Sequence, residues 1–202
     1  MEPRFLAYLE LRQDFLFEKI PEDKIGYYLD SSLRIGQDKA RSIVSRDIIA
    51  LLKDAKIKIE HNEGSGEFFK VKLRAQFEFD PKGNNKIILY HESIKEFAED
   101  SGLDFETAMN LHLVHEYFHY LENKEIKTVP ETLDPVINFE IFKFKKYAHI
   151  KRCSEIAAHA FVKEFLNLDT LPNHYDFEYL IQNKKMSSKD LKLLEADYQQ
   201  YA

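Results

Sequence analysis

The sequence predicts an α+β fold: a small antiparallel or mixed sheet of about three strands packed on two buried helices, with extra helices at both ends. Three observations carry that expectation. The segment "FFKVKLRAQFEFD" alternates apolar and polar residues along its length, the period of a half-buried strand. Two later segments, around 105–121 and 151–168, are apolar on most of their circumference, which marks buried helices. The chain has 202 residues and one cysteine, long enough to bury a core without disulfide staples.

Taken in order, residues 4–18 form a short helix with Phe5, Leu6, Leu9 and Phe17 inward, and Pro21 and Gly26 punctuate the next stretch. Residues 38–53, "DKARSIVSRDIIALLK", set Ala40, Ile43, Val44, Ile48, Leu51 and Leu52 at helical spacing. "AKIKIEHN" turns to period two. After the loop "EGSGE" comes the long alternating strand, with Phe69, Val71, Leu73, Ala75, Phe77 and Phe79 on one face. "DPKGNN" is turn chemistry and "KIILY" a short buried strand, so the strands read as a meander. "SIKEFAEDSG" predicts a helix closed near Gly102, and Asp104 caps the next one. Residues 123–138 read as a loop with two prolines, and 139–150 fit strand and helix equally. A packed helix spans about Lys151 to Leu168, and Pro172 ends that region. "SSKDLKLLEADYQQY" is an amphipathic helix opened by a capping box at Ser187 and Asp190. The whole reads as a single domain over 1–202, with a helical extension over 1–37, a core over 38–170 and a second extension over 171–202.

Charge and cysteine usage narrow the partners. Twenty-nine basic and 35 acidic residues give a net charge of −6, which argues against a nucleic-acid partner. A single cysteine excludes an intrachain disulfide. Acidic residues interrupt the N-terminal "MEPRFLAYLELRQDF", so no secretory signal is read there. No window approaches the ~20 apolar residues of a membrane span. A cytoplasmic protein without a membrane partner is expected.

"LHLVHEYFHYLE" places His115, Glu116 and His119 in the pattern H-E-x-x-H. Residues four apart share a helix face, so the two rings can converge on one zinc ion. Glu116 sits roughly 100° round the helix. It is poorly placed as a ligand but can take a proton from a water beside the metal, as a general base does. With 8 His and 21 Glu in 202 residues, chance produces the pattern in about 3% of such chains. A third ligand is needed. Positions 122 and 125 are both Glu, which excludes a third histidine of the HExxHxxGxxH type. "CSEIAAHAF" offers Glu155, beside the small residues Ala157 and Ala158, with His159 one turn on and on the same face.

The pair "HEYFHYLE" and "SEIAAHAFVKEFLNL" resembles the ImmA/IrrE-type metallopeptidases, small gluzincins of bacteria and phages. Glu155, Ala158, Phe161 and Leu166 fall in register with that family's second helix, and the resemblance covers about residues 38–170. It implies a minimal zincin-like (gluzincin) fold. It implies one zinc ion per chain bound by His115, His119 and Glu155, with Glu116 as catalytic base. It implies hydrolysis of a protein or peptide substrate inside the cell, often in regulation. The family's Asp or Asn after the alanine is His159 here. That residue is read as a partner to a ligand histidine or as an alternative third ligand. The competing reading is a catalytically silent zincin-like module that binds metal or a partner.

Other residues are candidates for the pocket rather than the metal. His112 lies two turns before His119 on nearly the same face. Tyr90, Tyr147, His149 and His174 are candidate donors to an oxyanion. Cys153 reads as core. "KFKKYAHIKR" is locally basic; it reads as a solvated face, with contact to an acidic protein or nucleic acid as the second reading.

Overall fold

The computed structural model of the chain describes residues 1–68 and 71–201. In chain order its elements are α1 (Pro3–Leu11), α2 (Glu22–Arg41), α3 (Ile48–Asp54), β1 (Lys58–Asn62), β2 (Glu67–Phe68), β3 (Val71–Lys72), β4 (Ala75–Glu78) and β5 (Lys86–Tyr90). They continue with α4 (His91–Ser101), α5 (Phe105–Asn123), α6 (Val129–Thr132), β6 (Val136–Ile141), β7 (Phe144–Ala148), α7 (Arg152–Leu166), α8 (His174–Gln182) and α9 (Ser188–Tyr198). The class is mixed α+β. These elements group into two compact units, Ile43–Lys124 and the pair of segments Met1–Ser42 and Glu125–Ala202.

In the unit Ile43–Lys124, β5 is the middle strand of a three-stranded sheet in the order β1-β5-β4. Strand β1 runs parallel to β5, with His61 opposite Leu89, and β4 runs antiparallel, with Phe77 opposite Ile87. This corrects the expected meander: the strand first in sequence pairs with the last. The antiparallel half is set by its turn. Asp80 Oδ1 accepts the Lys82 N–H at 2.8 Å, Asn85 Oδ1 accepts the Asp80 N–H at 2.9 Å, and Gly83 supplies a φ of 89°. The single long strand expected over 68–80 is divided. Strands β2 and β3 pair with each other, Glu67 opposite Lys72, and only β4 joins the larger sheet. Phe69 of the expected apolar face lies outside the described residues. Phe79, also expected inward, is 50% exposed. Helix α5 packs on β4, β5, α3 and α4, and Ile87 and Leu89 are fully buried.

Local chemistry sets the helix boundaries here. Asp47 Oδ1 accepts the Ala50 N–H at 3.0 Å and starts α3. Gly102 ends α4 with a φ of 64°. Asp104 Oδ1 accepts the Thr107 N–H at 2.8 Å and starts α5, as the sequence implied.

In the other unit, α1, α2 and α7 form the core. The helix expected over 38–53 is in fact the end of α2 and the whole of α3, separated by 42–47. Gly26, expected as a break, lies inside α2. Gly36 explains part of that helix: a Cβ there would sit 2.0 Å from the Ala157 carbonyl oxygen and 2.9 Å from the Ala160 Cβ. Glycine at this point lets α2 and α7 meet backbone to backbone. Helix α1 stops at Leu11 rather than near 18, and Phe15 stands in water. The stretch over 123–138 contains α6, opened by a capping box between Thr128 and Glu131. The ambiguous 139–150 belongs to an antiparallel hairpin of β6 and β7 with a bulge between Ile137 and Phe139. Helix α8 lies just past Pro172, where no helix was expected. The capping box at Ser187 and Asp190 opens α9 as the sequence implied.

Candidate metal centre

Helix α5 carries His115 and His119 one turn apart. Their Nε2 atoms lie 3.1 Å apart and the rings meet at 68° with centroids 4.9 Å apart. His119 Nδ1 lies 3.4 Å from Glu122 Oε2, and Glu122 is only 6% exposed. A buried carboxylate accepts only from a protonated nitrogen, so the proton belongs on Nδ1. The Nε2 lone pair of His119 is then left facing Nε2 of His115. Glu122, in contact with a candidate ligand, is a residue that the sequence reading missed. Its signal was present, as a carboxylate three residues after a candidate ligand on a helix that otherwise wants the core.

Glu116 lies round the helix, and its Oε2 accepts the backbone N–H of Phe77 at 2.9 Å. The Arg74 carbonyl accepts the Tyr90 N–H, so alternate residues of β4 face β5 and the N–H of Phe77 turns outward. That bond fixes one carboxylate oxygen of Glu116.

Glu155 lies in the first turn of α7. One ring nitrogen from each of His115 and His119 and one carboxylate oxygen of Glu155 lie within 4.8 Å of one another, and the three side chains are half-buried. This group could hold a metal ion. Two nitrogens bound tetrahedrally at about 2.0–2.1 Å stand about 3.3 Å apart, close to the 3.1 Å between the two histidines. The histidine pair on α5 therefore already has the spacing of two ligands of one ion.

The remaining candidates are spread more widely. His159 is half-buried one turn beyond Glu155 and is not one of the three converging residues. His112 donates from Nδ1 to the Ala108 carbonyl at 2.7 Å and packs edge-on against Phe97. Burial, then the charge of Arg74, pushes its pKa down to about 3, so it stays neutral. The Tyr90 hydroxyl lies 3.4 Å from Gln76 Oε1 at the end of β5. Tyr147 is 56% exposed on β7. His149 is half-buried just before α7, with Nδ1 directed inward. His174 pairs through Nε2 with Glu178 at 3.1 Å, and burial lowers its pKa. None of these residues belongs to the group whose donor atoms converge. Cys153 is fully buried, and burial pushes its thiol up to about 12, which fits the reading as core.

Glu10 of α1 is a second residue that the sequence reading missed. It is 6% exposed, and Arg152 donates to it from Nη1 at 2.7 Å. Burial raises its pKa, Arg152 opposes that rise, and the nearby charge of Glu155 adds to it.

No family model matches the chain, and no curated protein or solved structure matches it.

Proposed function

We propose that the chain is a zinc-dependent metallopeptidase of the gluzincin type, acting on a protein or peptide inside the cell. The observation that carries this reading is the convergence of His115, His119 and Glu155, with Glu116 beside the histidines on the same helix. Two imidazoles and one carboxylate are the donor set of catalytic zinc sites that keep a position open. The resemblance of the two motif helices to the ImmA/IrrE-type peptidases supports the same assignment.

When bound, the ion supplies Lewis acidity, lowering the pKa of a water towards about 7 and polarising the scissile carbonyl. The protein's own groups do the rest. His115 and His119 present Nε2 lone pairs, and Glu122 holds the ring of His119 in the required tautomer. Glu155 brings a negative charge that offsets the cation. The second oxygen of Glu116 accepts the proton of the attacking water and returns it to the leaving nitrogen. The N–H of Phe77 keeps that carboxylate from swinging away between the two transfers.

The test is metal analysis and peptide cleavage on protein purified without chelator or nickel resin. Cleavage of a proteome-derived peptide mixture is read by mass spectrometry. Glu116→Gln is expected to keep one zinc per chain and lose a hundredfold to about ten-thousandfold in rate. A fully active Glu116→Gln protein overturns the assignment. Because the Phe77 N–H occupies one oxygen of the Glu116 carboxylate, the second reading is a metal-binding module without hydrolysis. That reading expects zinc in both proteins and cleavage in neither.

A further inference from the structure

Among the described residues, twelve large apolar side chains are exposed, and five of them fall within 139–147: Phe139, Ile141, Phe142, Phe144 and Tyr147. Every residue of 138–147 is exposed, while Val136 and Ile150 at the base of the hairpin are buried. The hairpin is therefore anchored at its foot and wet along its outer length. The register places Ile141 opposite Phe144 and Phe139 opposite Lys146, so Phe139, Ile141 and Phe144 share one face. Phe142 stands at the tip, 96% exposed, with a φ of 51°. Lys143, Lys145 and Lys146 are interleaved with these residues, and Glu140 lies 3.3 Å from Lys145. Three lysines against one glutamate leave this segment at +2 in a chain of −6.

We propose that the β6–β7 hairpin is a reversible anchor on the surface of a bilayer that contains anionic lipids. The apolar residues crowd the turn, where insertion into the headgroup boundary needs them, and one of them is aliphatic. A lysine lays its stem along an apolar surface and keeps its ammonium among phosphates. Protein interfaces are depleted in lysine and enriched in arginine, and phosphate recognition in nucleic acids also favours arginine. All three cations of 139–147 are lysines. Lysines along a strand edge also oppose pairing with a second copy of the chain. The positive segment complements an anionic leaflet. No described helix is long and apolar enough to cross a membrane, so the contact is one of a hairpin lying on the surface. This proposal is independent of the peptidase reading.

The chain contains no tryptophan, so Phe142→Trp installs a single indole at the tip. With vesicles of phosphatidylcholine and phosphatidylserine at about 3:1, its emission is expected to shift to shorter wavelength, and the protein to sediment with the vesicles. Pure phosphatidylcholine vesicles are expected to bind at least about tenfold less, and added salt to release the protein. Ile141→Ser with Phe144→Ser should weaken sedimentation about tenfold. Lys143→Ala with Lys146→Ala should do the same while keeping the apolar face, and it carries the test if the serine variant is unfolded by circular dichroism. No emission shift and no sedimentation overturns the proposal, as does equal binding to neutral vesicles. A dimer in light scattering that Phe144→Ser dissolves, without vesicle binding, reassigns the face to a second copy. Binding of single-stranded RNA in place of vesicles reassigns it to nucleic acid.

Discussion

Helices α5 and α7 both carry polar groups on a largely apolar cylinder, but they fix those groups by different means. On α5 two of the three controls are local. An aspartate caps the start, and Glu122 reaches back three residues to His119. One backbone N–H from β4 secures Glu116. On α7 the control is distant in sequence. Gly36 of α2 lets the two helices touch at Ala157 and Ala160, and Glu10 of α1 engages Arg152. A local device survives the loss of a remote neighbour, whereas the placement of α7 depends on residues more than a hundred positions away.

The largest effect on this contrast is expected from Gly36→Ala. The added methyl group meets backbone rather than a flexible side chain, so unfolding free energy should fall by about 3 kcal/mol or more, read by chemical denaturation. Gly26→Ala is its control. The nearest atom there is the guanidinium of Arg4 at 3.1 Å, which can move, and alanine gains up to about 1 kcal/mol of helix propensity. Equal destabilisation by both would show that α2 and α7 are not in backbone contact.

Glu122→Gln tests the local side. The carboxylate facing His119 Nδ1 becomes a neutral amide, a weaker acceptor, and zinc binding should weaken about 10–100-fold, measured by competition with a chelating dye. An unchanged affinity would remove Glu122 from the site.

His112 gives a smaller effect with a defined sign. Its folded pKa is about 3, and its unfolded pKa is about 6.5. Between those values the unfolded chain binds a proton that the native chain refuses. Stability is therefore complete above about pH 6.5 and falls with acidification, by up to about 1.4 kcal/mol per pH unit. His112→Gln should flatten the slope between about pH 6.5 and pH 4 by about one proton. An identical slope in both proteins would contradict the neutral state of His112.

The smallest effect is expected at the surface, where Arg41 bonds Glu164 at 2.9 Å. A double-mutant cycle there should give under about 1 kcal/mol.

Legibility in the sequence obeys the same division. His115, Glu116 and His119 were legible because one helical period brings them together. The caps at Asp104 and Ser187 and the stop at Gly102 were legible because each is an exchange between near neighbours. Gly26 and Gly36 were opaque, because a glycine that serves close helix approach looks like a glycine that ends a helix. The parallel partner of β1 was opaque for a related reason. Nothing in "AKIKIEHN" says that its partner is "KIILY" rather than the strand next in sequence. Glu155 and His159 were legible together as two donors one turn apart on a second apolar helix, and only the register with a family pattern preferred Glu155. The bond from Phe77 to Glu116 needs β4 beside α5, which no local rule supplies.

The two units also differ in how the chain delivers them. Ile43–Lys124 is one uninterrupted stretch, and all its internal contacts are available once Lys124 has left the ribosome. The other unit is made from both ends of the chain. Arg4 reaches Asp30 and the carbonyl of Tyr201, and Thr170 reaches the carbonyl of Met1. Its first helices are synthesised early and must wait, with apolar faces such as Leu6, Leu29 and Leu33 uncovered, until α7 and α9 arrive. At roughly 5–20 residues per second that interval lasts for seconds. During it the nascent α1 and α2 are the surface most in need of a chaperone.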